Sequence, residues 1–159
     1  CEPGDHLMLH AAIYRASPGD IIVVEADDKF AVAGGNVCAI AQSRGIKGFV
    51  IDGVIRDIAE TRDNAFPVFA RGVVPKPGAK KCISPLNQPI SCGGVTVEGG
   101  DIIVADEEGI AVIPQAEALG AFEIAKQRAD KDSAMSLEQW QAEHSEKVES
   151  ILAKLGYED

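Results

Sequence analysis

Gly48-Phe49-Val50-Ile51-Asp52-Gly53-Val54-Ile55-Arg56-Asp57-Ile58-Ala59-Glu60 is the stretch on which the fold turns. Lys47 to Ile51 is apolar and β-branched, and reads as a strand. A glycine comes next, then a cation and two carboxylates. The acidic segment reads as the start of a short helix that ends before Phe66-Pro67. Upstream, Asp20 to Glu25 reads as a strand buried on both faces, because its apolar character is continuous. Phe30 to Ala33 reads as another strand, stopped by Gly34-Gly35. Asn36 to Arg44 then reads as a helix with Val37, Ile40 and Ala41 on one face and Gly45 just past its end. Val68 to Ala70 is again strand-like. Strand, helix, strand, short helix, strand is the order of an α/β layer with parallel pairing.

Outward from this centre the pattern weakens. Asp5 caps a helix expected through Arg15 and closed by Pro18-Gly19. Residues 72 to 89 are rich in Pro, Gly and Lys and are expected on the surface. Short strands are expected at Ile90-Ser91-Cys92, Val95-Thr96-Val97, Asp101 to Ala105 and Ile110 to Ile113, with Asp106-Glu107-Glu108-Gly109 as a hairpin turn. Pro18-Gly19-Asp20-Ile21-Ile22-Val23 echoes Gly99-Gly100-Asp101-Ile102-Ile103-Val104, and two hairpins of like chemistry account for it. From Gln115 to Leu155 the chain is charged and helical. Val148, Ile151, Leu152 and Leu155 make an apolar stripe that either a neighbour or the chain's own core could cover. Two segments result, 1–114 and 115–159.

The 159 residues carry 25 acidic and 15 basic side chains, a net charge of −10. Such a chain repels phosphate backbones, so nucleic acid is not an expected partner. No apolar run approaches the roughly 20 residues that a membrane helix needs, and no membrane association is expected. The four cysteines, Cys1, Cys38, Cys82 and Cys92, form no C-x-x-C pair. Reduced thiols in a cytoplasmic protein are the simplest reading, with Cys38 a small core residue.

Asp57 and Glu60 are three apart, so on a helix they share a face and reach one hard cation. Two protein oxygens leave positions open for magnesium or manganese plus a chelating ligand. The same two acids could instead complement a helix dipole. Arg56 could pair with Asp57 or Asp63 on the surface, or clamp a carboxylate and neutralise an oxyanion. Gly34-Gly35-Asn36-Val37 lies after a strand and opens a helix. It could present backbone N–H groups to an anion, or be a plain turn. His6 and His10 could make a zinc pair. Without an H-E-x-x-H signature, two surface imidazoles fit better.

Together these residues resemble a known family. Gly35, twenty intervening residues and Arg56-Asp57-x-x-Glu60 look like the metal motif of the class II pyruvate aldolases that cleave 4-hydroxy-4-methyl-2-oxoglutarate. The superfamily also holds the proteins called regulator of RNase E activity A. Asp52-Gly53-x-x-Arg56-Asp57, Pro67-Val68-Phe69-Ala70-Arg71-Gly72, Gly93-Gly94-Val95-x-Val97 and Gly100-Asp101-x-x-x-Ala105-Asp106-x-x-Gly109 support the likeness over residues 3 to 114.

The resemblance implies an α/β fold of the swivelling β/β/α kind shared with phosphohistidine domains, assembled as homotrimers or hexamers, with a C-terminal helical tail. It implies Mg²⁺ or Mn²⁺ at Asp57, supported by Glu60 through water. The N–H groups after Gly34-Gly35, at Asn36 and Val37, would take the carboxylate of a small 2-oxo acid, and Arg56 would face the oxo oxygen. Cleavage would leave a pyruvate enolate, with a base needed to take the 4-hydroxyl proton. Oxaloacetate decarboxylation uses the same enolate without that base, so it is expected to be the more robust activity.

The family also implies a helix and strand ahead of Cys1 and, in some members, an acid from a neighbouring subunit. Some aldolases carry Asp where Gly35 stands, which places this chain with those that rely on Glu60. The alternative is a non-catalytic regulator of a ribonuclease, from which loss of the Asp57 ligand would be expected. A methyltransferase role finds no glycine fingerprint in the sequence.

Overall fold

The apolar run from Gly48 to Ile55 folds as a strand with a parallel neighbour on each side in a computed structural model that describes residues 1–157. In chain order the strands are β1 (Ile21–Glu25), β2 (Gly48–Ile55) and β3 (Val68–Val73). Parallel neighbours need crossover connections, and short helices supply them. Helix α2 (Gly35–Ser43) links β1 to β2, and α3 (Ile58–Asp63) links β2 to β3. Helix α1 (Leu7–Ile13) precedes the sheet.

Strand β2 runs four residues beyond Ile51, and every residue in it except Asp52 is buried. The outer strand β1 departs from the expected burial on both faces. Only Ile22 and Val24 are buried there, and Ile21 and Val23 are half-buried. A flanking strand can be apolar throughout and still lose contact on one side. The core is Phe49, Leu9, Ile13, Cys38 and the residues around them, with Phe66 edge-on to Phe49 at 4.9 Å between ring centres. The expected burial of Cys38 holds.

Phe30 to Ala33 is not a ladder strand. Asp27 folds the turn ahead of it, accepting the Lys29 and Phe30 N–H groups at 2.7 and 3.0 Å. Residues 30 to 33 instead form a strap, with one isolated bridge from Ala31 to Pro77. The Val32 N–H donates to the Val54 carbonyl, and the Arg56 N–H donates to Ala33. The segment after β3 reaches the same place. Ala79 bridges Asp5, and the Asp5 carboxylate accepts N–H groups from Leu7, Lys81 and Cys82. The N-cap of α1 is His6 and not the expected Asp5, although Asp5 still accepts the Leu7 N–H at 2.8 Å from one residue further out, and the helix ends at Ile13 and not at Arg15. Burial alone would raise the Asp5 pKa. The three donors and nearby His6 outweigh it and hold the carboxyl below its usual range.

Between Ile51 and Val54 the pairing of β2 with β3 slips by one residue, a β-bulge at Asp52-Gly53. Gly53 is required there: a Cβ would lie 2.8 Å from the Ala26 Cβ and 2.9 Å from the Asp27 carbonyl oxygen. Two hairpins complete this unit, β4 (Ile90–Cys92) with β5 (Val95–Val97), and β6 (Ile102–Ala105) with β7 (Ile110–Ile113). The first is tied to the sheet by acids. Glu25 accepts the Ser91 N–H at 3.3 Å, and Asp52, paired with Arg71, accepts the Gly93 N–H at 2.8 Å. Asp106 closes the second turn by accepting the Glu108 and Gly109 N–H groups.

The described chain divides into two compact units, Cys1–Pro114 and a second from Gln115. The second holds a 3-10 turn, Gln115–Glu117, then α4 (Ala118–Ala134) and α5 (Leu137–Lys154). The continuous helical stretch expected there is broken at Met135-Ser136, where Ser136 and Gln139 form a reciprocal capping box. Within this unit no residue of either helix is buried. No described helix is long and apolar enough to cross a membrane.

Phe49→Ala is expected to lower unfolding free energy by about 3–5 kcal/mol, because it empties the centre of the core. A denaturant midpoint unchanged by the substitution would place the core elsewhere.

Candidate metal and anion site

Where β2 ends, the backbone reverses. Asp57 sits in the left-handed region at φ 57°, ψ 45°, and α3 starts one residue later. Few side chains tolerate that conformation; aspartate is one of them. The expectation that Asp57 and Glu60 share a helical face is therefore corrected. Asp57 is the N-cap outside the helix, and only Glu60 lies in its first turn. The Asp57 carbonyl accepts both the N–H and the hydroxyl of Thr61, at 3.0 and 3.1 Å, which fixes the reversal.

The two carboxylates still converge, through the glycine turn. Asp57 Oδ2 lies 3.4 Å from the Gly35 nitrogen and 3.5 Å from Arg56 Nε. A methyl group on Gly34 would collide with Asp57 Oδ2, and one on Gly35 would meet Glu60, whose Cβ is 2.6 Å away. Both glycines are buried, while Asp57 and Glu60 are exposed, so the site opens to solvent.

Gly34 is the extended N-cap of α2, and no side chain caps that end. The Asn36 and Val37 N–H groups belong to its first turn, where helices leave donors without intrahelical partners. Asn64 ties α3 to this turn by donating from Nδ2 to the Gly35 carbonyl at 3.2 Å, and Gln42 donates to the Asn64 carbonyl at 2.9 Å. Asn64 and Thr61 are not among the residues that sequence pattern singles out. Neither belongs to a chemical motif: Asn64 acts through a contact across nearly thirty residues of chain, and Thr61 through a backbone reversal that periodicity does not record.

The donor set fits a hard divalent cation. It offers carboxylate oxygens only, from two acids that rest against the same glycine turn. Among the described residues no three His, Cys, Asp or Glu side chains gather to hold a metal. An ion at Asp57 and Glu60 would keep most of its shell for water or a chelating ligand.

His6 and His10 are not two surface imidazoles. His6 is buried at 8% exposure, and its ring stacks on His10 with 4.7 Å between centroids. Burial, then the Lys80 charge, then His6 and Arg56, pull His10 from its ordinary 6.5 to about 4. His6 is lowered too, first by burial and then by Lys80.

Alanine at the two glycines is expected to act differently. At Gly34 the obstacles are side chains, Asp57 Oδ2 with Arg56 Cγ and Nε at 3.0 and 3.1 Å, and they can swing away. At Gly35 the obstacle includes Glu60 Cβ, rooted on α3. Gly35→Ala is therefore expected to cost about 1–3 kcal/mol and Gly34→Ala clearly less. Equal denaturant midpoints would show that α3 does not rest on Gly35.

Comparison with known proteins identifies the family. The RraA-like family model, described as Aldolase/RraA, matches residues 1–112. A Halalkalibacterium halodurans protein named "Putative 4-hydroxy-4-methyl-2-oxoglutarate aldolase" is 44% identical over 133 residues, covering 82% of this chain and 63% of its own length. The 4-hydroxy-4-methyl-2-oxoglutarate aldolase of Thermus thermophilus is 27% identical over 113 residues, covering 70% of this chain and 69% of its own. The solved structure of the RNA-processing inhibitor RraA from Thermus thermophilis superposes with a TM-score of 0.67 at 27% identity, over 70% of each chain. The chain spans less than two thirds of the length of the first of these relatives. With the family model matched over most of its length, this chain belongs to the RraA-like family, described as Aldolase/RraA, and has that family's mixed α/β fold.

Proposed function

We propose that this chain is a divalent-metal-dependent lyase that cleaves 2-oxo acids of the 4-hydroxy-4-methyl-2-oxoglutarate type to pyruvate and also decarboxylates oxaloacetate. One observation carries the reading: the left-handed Asp57 turns its carboxylate beside Arg56 and onto the Gly34-Gly35 turn. Asp57, with Glu60 alongside, would hold Mg²⁺ or Mn²⁺. When bound, such an ion supplies electrophilic stabilisation of negative charge on a 2-oxo oxygen.

The chain's own groups do the rest. The Asn36 and Val37 N–H groups take the carboxylate next to the ketone, as helix first turns do. Arg56 directs its guanidinium to the oxo oxygen and stabilises the charge that develops as the carbon–carbon bond breaks. The electron pair of that bond stays on the pyruvate fragment as its enolate, and carbon dioxide or an aldol carbonyl leaves. Cleavage of the 4-hydroxy acid must also give up a hydroxyl proton, which decarboxylation does not require. Assembly as a trimer or hexamer belongs to the same reading.

The fold likeness to an RNA-processing inhibitor supports a second reading, a non-catalytic regulator of ribonuclease activity. The intact Arg56-Asp57-x-x-Glu60 set, facing the glycine turn, favours the enzyme.

Pyruvate release from oxaloacetate is expected to need Mg²⁺ or Mn²⁺, to stop with EDTA and to return on adding the metal. Asp57→Asn keeps a residue at home in the left-handed region and removes the charge, so it should cost about 100-fold or more in turnover with the fold intact. Arg56→Ala is expected to lower turnover far more than it weakens metal binding, measured with Mn²⁺ by calorimetry. Activity indifferent to EDTA and to Asp57→Asn would remove the lyase reading in favour of the regulator.

A further inference from the structure

Beside the proposed metal site lies a group of side chains that the lyase reading does not use. Three backbone strips run next to one another there. The Arg56 N–H is bound by Ala33, Ala31 bridges Pro77, and the His6 N–H is bound by the Ala79 carbonyl. Arg56, Lys80 and the stacked imidazoles of His6 and His10 are thereby brought to one corner, and the Lys80 and Arg56 charges act on both rings.

Two features of this corner call for a ligand. His6 Nδ1 is buried with no hydrogen-bond partner, on a side chain more than nine-tenths buried. A polar atom left so costs stability unless something occupies it. The positive charge is also only half compensated, since Asp57 pairs with Arg56 alone. Lys80 makes no ion pair among the described residues. Asp5, the acid adjacent to His6, is committed to the N–H groups of Leu7, Lys81 and Cys82. In a chain of net charge −10 this is a local anion trap.

We propose that His10 and Lys80, backed by His6, form a second anion subsite that takes the far carboxylate of a dicarboxylic 2-oxo acid. The proposal rests on the lyase reading for the near end of that substrate, held at Arg56 and the glycine turn. Its consequence is a preference for dicarboxylic over monocarboxylic 2-oxo acids. Binding is also coupled to protonation. His10 faces Lys80, His6 and Arg56, and His6 faces Lys80, Asp5, Arg56 and the Ala31 carbonyl. A carboxylate arriving among them offsets the two cations, so the imidazoles become more basic and take up protons.

The test uses the imidazole NMR signals of the full chain in Mg²⁺, titrated with 2-oxoglutarate and separately with pyruvate. His6 and His10 signals are expected to shift and their titration midpoints to rise with 2-oxoglutarate only, while His144 stays still. Lys80→Met should remove the response. His6 and His10 signals unmoved by 2-oxoglutarate, or moved equally by pyruvate, overturn the subsite. In steady-state assays Lys80→Met and His10→Asn should each raise KM for oxaloacetate about tenfold and leave inhibition by oxalate, which occupies the near end alone, within about twofold. Parallel loss of oxalate inhibition would make these residues part of the near site and also overturns the proposal. A chain without metal-dependent decarboxylation refutes the lyase reading, and the NMR arm then decides the subsite alone.

Discussion

Two glycines that lack side chains allow two carboxylates to rest against the first turn of a helix. Everything chemical in this unit depends on that close approach. Asp57 touches Gly34 and Gly35, and Glu60 touches Gly35, so the spacing between α2 and α3 is set by the absence of two methyl groups. The contact brings negative side chains to a place where backbone N–H groups also point. In the lyase reading a cation between acid and anion, together with the Arg56 guanidinium, would reconcile the carboxylate pair with an anionic substrate. The left-handed backbone at Asp57 is the local cost of the arrangement, and the Thr61 and Asn64 hydrogen bonds offset it.

Charge is distributed unevenly over the unit, and the unevenness tracks the backbone. Acids that end strands or turns are consumed by N–H groups: Glu25 and Asp52 hold the β4–β5 hairpin, Asp27 holds a turn, and Asp5 holds the chain after β3. Asp57 and Glu60 are exposed and less engaged. Arg56 shares Asp57 at 3.5 Å, Lys80 has no paired acid among the described residues, and burial followed by the Lys80 charge holds both neighbouring imidazoles below their ordinary pKa. An acidic protein can therefore offer a positive corner without any excess of basic residues.

The family carries names of different kinds, an aldolase in some relatives and an RNA-processing inhibitor in a solved structure. A shared fold does not choose between them. The choice rests on side chains, and here the acid, the guanidinium and the glycine turn meet in one place.

Much of the centre is legible in the sequence. The apolar run into Arg56-Asp57, the helices between strands and the hairpin at Asp106 to Gly109 all come from local pattern and turn chemistry, while the candidate site residues stand out through a family resemblance. Phe30 to Ala33 misleads because a β-like composition is satisfied equally by a strap bonded to strand ends. Asp57 misleads because three-residue spacing describes a helix, and the bulge at Asp52-Gly53 and the reversal after Arg56 end regularity just before it. The sequence by itself determined which residues could do chemistry and which segments would be strand or helix, since both depend on near neighbours. Tertiary structure alone decided that His6 is buried, that the Lys80 and Arg56 charges both reach the His6 and His10 rings, and that Asp57 meets Gly35. Those distances are set by segments far apart in the chain, brought together by backbone hydrogen bonds that no local periodicity records.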